Sequence, residues 1–399
     1  MSTAATAQSA TAAGGKGGRK RRLHMAPKLA YRNLFHDKLS LVVTLTGIVF
    51  SVVLVAVQCG LYIGSERTIA AVLDQTQGEI WIVPVGTKSF DDPSLLTGRE
   101  RFSALSAPGV ASVENLVVAF SSWRKPKGGA TTILLVGSDW YDGGLAPWNL
   151  VQGTLADIRA PSAVAADRSY FSELGIDKID DTAEINGTKV RVAAVTKGIR
   201  SFTTLPFVFT TRERAQQLIG ASAQQSSYTL VRIEPGANAV KVRDELAARL
   251  PDAEVLLRDE FRQRSLDYWL FQTGAGAALI AGALLGLIVG IVIVSQTLYS
   301  STKDHLAEFA TLRALGASAW YIIQVILLQA IISGLIGYIV GMMLSLVILW
   351  ASQDTTLNIV MTPGLFAALF GVTLGMCVFA AISAIFKVTR IDPAGVFSR

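Results

Sequence analysis

Four apolar runs, at 39–63, 271–298, 321–350 and 365–386, constrain this chain more than anything else in it. Each holds about 20 residues or more, and at about 1.5 Å per residue each is long enough to cross a hydrocarbon core about 30 Å thick. Backbone in lipid must satisfy its own hydrogen bonds, so such runs fold as helices. We therefore expect transmembrane helices at 39–64, 268–299, 320–350 and 364–386. Composition points the same way. The 399 residues are 51% hydrophobic and 17% charged, whereas soluble domains carry about 25% charged residues. The first run is too long for a signal-peptide core, and no small-residue cleavage site follows Ile63, so it reads as a signal anchor.

Orientation follows from Lys and Arg beside the helix ends. Lys16, Arg19, Lys20, Arg21, Arg22, Lys28, Arg32 and Lys38 precede the first run, against the single acid Asp37. Lys387, Arg390 and Arg399 follow the fourth, while the 351–363 loop has Asp354 and neither Lys nor Arg. Both termini (1–38 and 387–399) and the 300–319 connection are expected in the cytoplasm, and 65–267 and 351–363 outside it. The net charge of +6 is then a positive-inside signature, not a nucleic-acid footprint. Within the N-terminal part, 1–24 is rich in Ala, Thr, Gly and Lys and reads as a disordered tail. Residues 25–38 alternate Leu, Tyr and Phe with Lys, Arg and His, as in an interfacial amphipathic helix.

The outside segment has about 200 residues, enough for a core of its own. Strands are predicted at 79–83, 113–120, 227–233 and 254–257, and helices at 98–106 and 237–250. Two strand–helix–strand units thus flank a β-rich middle piece at about 131–215, in which Asn186-Gly187 signals a tight hairpin between 183–185 and 188–195. The expected fold is an α-helical membrane protein with four transmembrane helices. A large α+β extracytoplasmic domain lies between helices 1 and 2, made of a βαβ-type porter-like lobe and a β-rich insertion.

Small residues recur every fourth position in the second run, at Ala278, Gly282, Gly286 and Gly290, and again at Gly337 and Gly341 in the third and Gly371 and Gly375 in the fourth. Such stripes let helices approach closely, within a subunit or across a dimer. The helix cores carry no Asp, Glu, Lys, Arg or His, which disfavours an ion-coupled carrier. The three histidines (24, 36 and 305) are all on the cytoplasmic side, and 65–267 has no His, Cys or Met, so metal export through ligands there lacks support. Gly-x-x-x-x-Gly-Lys-[Ser/Thr] is absent, so no ATP site is expected. Cys59 and Cys377 read as small apolar groups within helices.

Between the second and third runs stands the charged, amphipathic segment 303–318, which carries no nucleophile or metal cluster and so suits a partner protein. Leu306, Phe309 or Ala310, Leu312 and Leu315 can form an apolar face at helical spacing, Glu308 and Arg313 offer charged contacts, and Gly316 suits a left-handed helix end. Its Glu308-Phe-Ala-Thr-Leu-Arg-Ala-Leu-Gly-Ala-Ser318, followed by Ile322-Ile-Gln-Val-Ile-Leu-Leu-Gln-Ala330 and the series Gly334, Gly337, Gly341, resembles the FtsX/MacB/LolC superfamily of ABC transporter permeases. Arg390-Ile-Asp-Pro-Ala394, Ala30-Tyr-Arg-Asn-Leu34 and Gly47-Ile48 look similar to that family's ends. The resemblance implies that 300–319 is a coupling helix docking on two copies of an ABC ATPase subunit, with ATP and Mg held there and no cofactor bound by this chain. It implies no enzyme activity of the permease itself, and the inner membrane as its location. Lacking MacB's fused N-terminal ATPase, the chain looks more like the DevC-type and LolC/E-type permeases. A second permease copy (homodimer), membrane lipids and a periplasmic membrane fusion protein are the further partners it suggests; nucleic acid is not. The implied function is export of a hydrophobic or lipid-like substrate by mechanotransmission. The alternative is an FtsX-like signalling device that regulates a cell-wall hydrolase or sensor without transport.

Overall fold

The structure is a computed structural model that describes residues 25–140, 144–305, 308, 311, 318–352, 355 and 357–389. The tail expected at 1–24 and the segment 390–399 lie outside the described residues. The chain divides into two compact units, one of Met1–Cys59, Ile280–Trp350 and Met361–Arg399, the other of Gly60–Leu279 and Ala351–Val360. In chain order the elements are α1 (Met25–His36), α2 (Lys38–Asp74), β1 (Ile80–Pro84), α3 (Arg99–Leu105), β2 (Val110–Arg124), β3 (Ala130–Ser138), β4 (Leu150–Gln152) and β5 (Ala163–Asp167). Then come β6 (Thr182–Ile185), β7 (Thr188–Thr196), β8 (Phe207–Thr211), α4 (Arg212–Ile219), β9 (Tyr228–Ile233), α5 (Ala239–Arg249), β10 (Ala253–Leu257), α6 (Arg258–Asp267), α7 (Ala275–Asp304), α8 (Ala319–Ala351) and α9 (Pro363–Thr389).

Helices α2, α7, α8 and α9 are long and apolar enough to cross a membrane. Several helix boundaries differ from expectation, α7 also running on to Asp304 and α9 to Thr389, and three of the differences have a visible cause. The amphipathic helix stops at His36 because Asp37 caps the next one, its Oδ1 accepting from Ser40 N at 3.1 Å. Helix α2 runs ten residues past the expected end at 64, because Ile69, Ala70, Val72 and Leu73 supply a buried face at helical spacing. The second crossing starts at Ala275, not 268. Residues Tyr268–Gln272 form a π-helical turn, and Gly274 at φ 79° breaks it from α7.

The soluble unit is built on one ten-stranded sheet, with β10-β1-β9-β2-β3-β8-β5-β7-β4 in order and β6 beside β2 and β7. The first four form a twice-repeated split βαβ arrangement, all antiparallel, with α3 following β1 and α5 following β9. Sequence suggests two lobes; the structure joins them through β2. Its residues 110–116 pair with β9 and 116–124 with β3. The hairpin is as expected: Asn186 and Gly187 both take positive φ (48° and 83°) between Ile185 and Thr188, which pair directly.

Strand alternation divides the core. On β1, Ile80 and Ile82 meet Ala104 of α3 and Val242 and Leu246 of α5. Trp81 and Val83 face the other way, into a cluster that continues through Leu116, Val118, Leu134, Val136, Phe207 and Phe209 to Ala194. Beneath the far lobe a third cluster holds Val117, Trp123, Ile133, Val164, Val192 and Val208. Trp81 is fully buried, with its ring centroid 5.4 Å from Phe261, 5.8 Å from Tyr228 and 6.3 Å from Phe90. Beside Phe90, burial pushes the partly exposed Asp91 carboxyl up to about 7 from its ordinary 3.8.

Trp81→Ala empties the middle of this cluster and should cost about 3–5 kcal/mol of stability, read from denaturant unfolding. Because Asp91 has a raised folded pKa, its contribution is full below about pH 4 and lost as pH rises through about 7. Asp91→Asn should therefore gain thermal stability over wild type at pH 8 and much less at pH 5. Equal gains at both values would reject a raised pKa for Asp91.

Candidate functional site

In the membrane unit the glycine stripes of α7 and α8 are occupied by side chains of the same chain. A Cβ added at Gly282 would lie 2.5 Å from Gln58 Nε2, at Gly286 3.1 Å from Leu54 Cδ2, and at Gly290 2.6 Å from Ser51 Oγ. Gly337 and Gly341 meet the next face of α2, with such atoms 2.5 Å from Ile48 Cγ2 and 2.8 Å from Val52 Cγ1. Helix α2 thus packs against the stripes of both α7 and α8. The Ser51 hydroxyl donates to the Gly286 carbonyl at 2.8 Å, a polar contact across the packed helices. Gly334 receives Cys377, which is fully buried. Ala278 is exposed, so the close packing begins at Gly282. Gly371 and Gly375 have no described atom within 4 Å of such a Cβ. One packing glycine escapes the sequence argument. Gly47 lies against Ile293, its added Cβ 2.3 Å from Cγ2, and the Gly47-x-x-x-Ser51 spacing is the signal that would have found it.

Of the expected coupling residues, Glu308 is described; Leu306, Phe309, Leu312, Arg313, Leu315 and Gly316 lie outside the described residues. Glu308 is exposed, and its Oε2 lies 3.2 Å from His305 Nδ1. Helix α1 lies against α8: Ala30 and Val325 are both fully buried, with Tyr321, Ile322, Leu328 and Ile332 around them. Between α1 and the end of α7 opens a cleft of about 710 Å3 lined by Tyr31, Arg32, Asn33, Phe35, His36, His305 and Glu308.

In the soluble unit, the overhang of α2 is held from several sides. Arg262 of α6 reaches Asp74 at 3.2 Å and Glu66 at 3.8 Å. Ile69, Leu266 and Leu270 pack with Tyr62, Phe202 and Trp269. Trp269, half-buried, stands 5.2 Å from Phe202, ring to ring. Gly64 admits the 351–360 loop: its added Cβ would fall 1.6 Å from the Asn358 carbonyl oxygen, and Asn358 Nδ2 donates to Thr68 Oγ1 at 3.1 Å. Arg200 Nη1 donates to the Leu357 carbonyl at 3.0 Å from the domain side. Among the described residues there is no group of three or more His, Cys, Asp or Glu placed to hold a metal ion.

Four membrane-length helices around one large α/β insertion define a multi-pass membrane protein. Residues 41–249, just over half of the chain, match the family profile described as MacB-like periplasmic core domain, and 280–393 match FtsX-like permease C-terminal. The chain therefore belongs to the FtsX/MacB-type permeases of ABC transporters. A permease of this class implies an ATP-hydrolysing partner. An uncharacterized ABC transporter permease of Mycobacterium tuberculosis strain H37Rv is 24% identical over 371 residues, covering 90% of this chain and 95% of that one. A second from the same strain is 23% identical over 380 residues, covering 92% and 98%. Among solved structures, the periplasmic region of MacB from Actinobacillus actinomycetemcomitans aligns with TM-score 0.36 at 13% identity, covering 49% of this chain and 96% of that one. The extracellular domain of the noncanonic ABC-type transporter YknZ aligns with TM-score 0.34 at 18% identity, covering 45% and 98%.

Gly290→Leu forces a side chain onto Ser51 and Met376 and should cost about 1–3 kcal/mol. Gly371→Leu meets open space and should leave the unfolding temperature of the detergent-solubilised subunit unchanged. A comparable loss in both variants would mean that side-chain volume at α2 is not what the stripe of α7 accommodates.

Proposed function

We propose that this chain is the permease subunit of an exporter driven by a separate ABC ATPase. Two ATPase copies dock on the 303–318 segments of a homodimer in the bacterial inner membrane, with both termini cytoplasmic. ATP and Mg are held by those ATPases, and this chain binds no cofactor and performs no chemistry. The observation that carries the reading is the charged, amphipathic segment between α7 and α8, two helices too apolar to leave it anywhere but at a membrane surface. The Lys and Arg excess on 1–38 supports the cytoplasmic assignment of that end.

In this scheme closure of the ATPases moves α7 and α8 through the segment, and the motion passes to the outside domain by mechanotransmission. Two features of the sequence and fold support it. The apolar cores lack Asp, Glu, Lys, Arg and His, as expected when the cargo is hydrophobic or lipid-like and is taken from the outer leaflet or periplasm, with no ion path through the helices. Helix α2 is one unbroken element from Lys38 to Asp74, a stiff lever if the helices move. A periplasmic membrane fusion protein is the expected receiver on the far side.

Leu312→Asp and Arg313→Glu should each abolish co-purification of the ATPase or uncouple its hydrolysis, and wild-type behaviour of both would remove the segment from the interface. In lipid nanodiscs, stimulation of ATPase activity by lipids or hydrophobic compounds supports export. Stimulation only by a cell-wall hydrolase or sensor protein would instead assign a signalling function.

A further inference from the structure

We propose that the cleft between α1 and the end of α7 binds the phosphate headgroup of one anionic phospholipid. Arg32 is its permanent cation, and His36 and His305 add two imidazoles. Glu308, the carboxylate lining it, is exposed and stands on the His305 side, its Oε2 3.2 Å from His305 Nδ1, while Arg32 and His36 lie together on α1. Asn33 forms the floor. It is only 6% exposed, and its Nδ2 is buried without a partner among the described residues. A buried amide donor left unpaired is costly, and a ligand oxygen seated on the floor becomes its acceptor after a small turn of the amide. A volume of about 710 Å3 is that of a small-molecule site.

The rim explains why the phosphate comes with a lipid attached. Tyr31 and Phe35 stand 4.4 Å apart, ring to ring, and are 58% and 40% exposed; Leu39, 77% exposed, continues the apolar edge. Such an edge on a basic amphipathic helix belongs at the headgroup–acyl boundary, with aromatic rings beside the chains and cations at the phosphates. An acidic side chain of a partner protein would satisfy Arg32 but leave that edge in water. The inference uses the proposed orientation only to assign the cleft to the cytoplasmic leaflet.

The test is native mass spectrometry of the full-length chain in mild detergent, without an ATPase, after exposure to phosphatidylglycerol or phosphatidylcholine. One phosphatidylglycerol should stay bound per chain under conditions that strip phosphatidylcholine. Arg32→Gln should weaken retention about tenfold, the weight of one charge-assisted contact to phosphate. Asn33→Leu should also weaken it, without lowering the unfolding temperature in lipid-free detergent, an outcome that a purely structural asparagine would not give. Lys303→Gln, exposed and outside the cleft, should retain the lipid as wild type does. Undiminished retention by Arg32→Gln, an equal loss in Lys303→Gln, or complete displacement by millimolar inorganic phosphate would each overturn a lipid site. No ATPase enters the measurement, so failure here and failure of the coupling scheme are separate results.

Discussion

Strand β2 is where two architectures become one body. Its first half closes an antiparallel split βαβ sheet with β9, and its second half starts the far lobe with β3. Because side chains alternate along it, one face of the combined sheet stays continuous. Leu116 and Val118 sit in the same cluster as Trp81 at one end and Phe209 at the other. The opposite face is divided, with Val113 in the helix-covered core and Val117 in the far one. A register slip of one residue would turn Leu116 and Val118 away from the shared cluster, so both lobes depend on one pairing.

The membrane unit is organised by close approach of the backbones. With lipid as apolar as leucine, helices gain little by hiding methyl groups from it, and contact between backbones and small residues must supply the attraction. Gly282, Gly286 and Gly290 on α7, and Gly337 and Gly341 on α8, provide this for α2, and Ser51 adds a hydrogen bond. The helices remain widely exposed otherwise: Leu284, Leu285, Ile288 and Val292 of α7 are all more than half exposed. That surface is available to lipid or to another subunit.

Much of this was legible in the chain because its signals are local. Four apolar runs, the Asn186-Gly187 turn and the strand–helix–strand units each follow from a few adjacent residues. What stayed hidden is non-local. Ile69, Ala70, Val72 and Leu73 have helical spacing, but what buries the stretch at 65–74 is not written beside it, since partners such as Leu266 lie far along the chain. The merging of two lobes through β2 depends on pairing choices between distant strands. The stripes were visible in the sequence, but periodicity alone does not say which helix fills them. Gly371 and Gly375 repeat the pattern of Gly286 and Gly290, yet no described atom lies within 4 Å of a Cβ added at either.

The two helices that enter the domain do so with different mechanics. Helix α2 arrives without interruption, as one element from Lys38 to Asp74. The path into α7 passes through the π-helical turn at Tyr268–Gln272 and then Gly274, whose left-handed backbone ends the hydrogen-bond ladder. One connection to the domain is thus a continuous helix, and the other a helix interrupted by a π-helical turn and a left-handed glycine, so the chain enters and leaves the domain through links of unequal regularity.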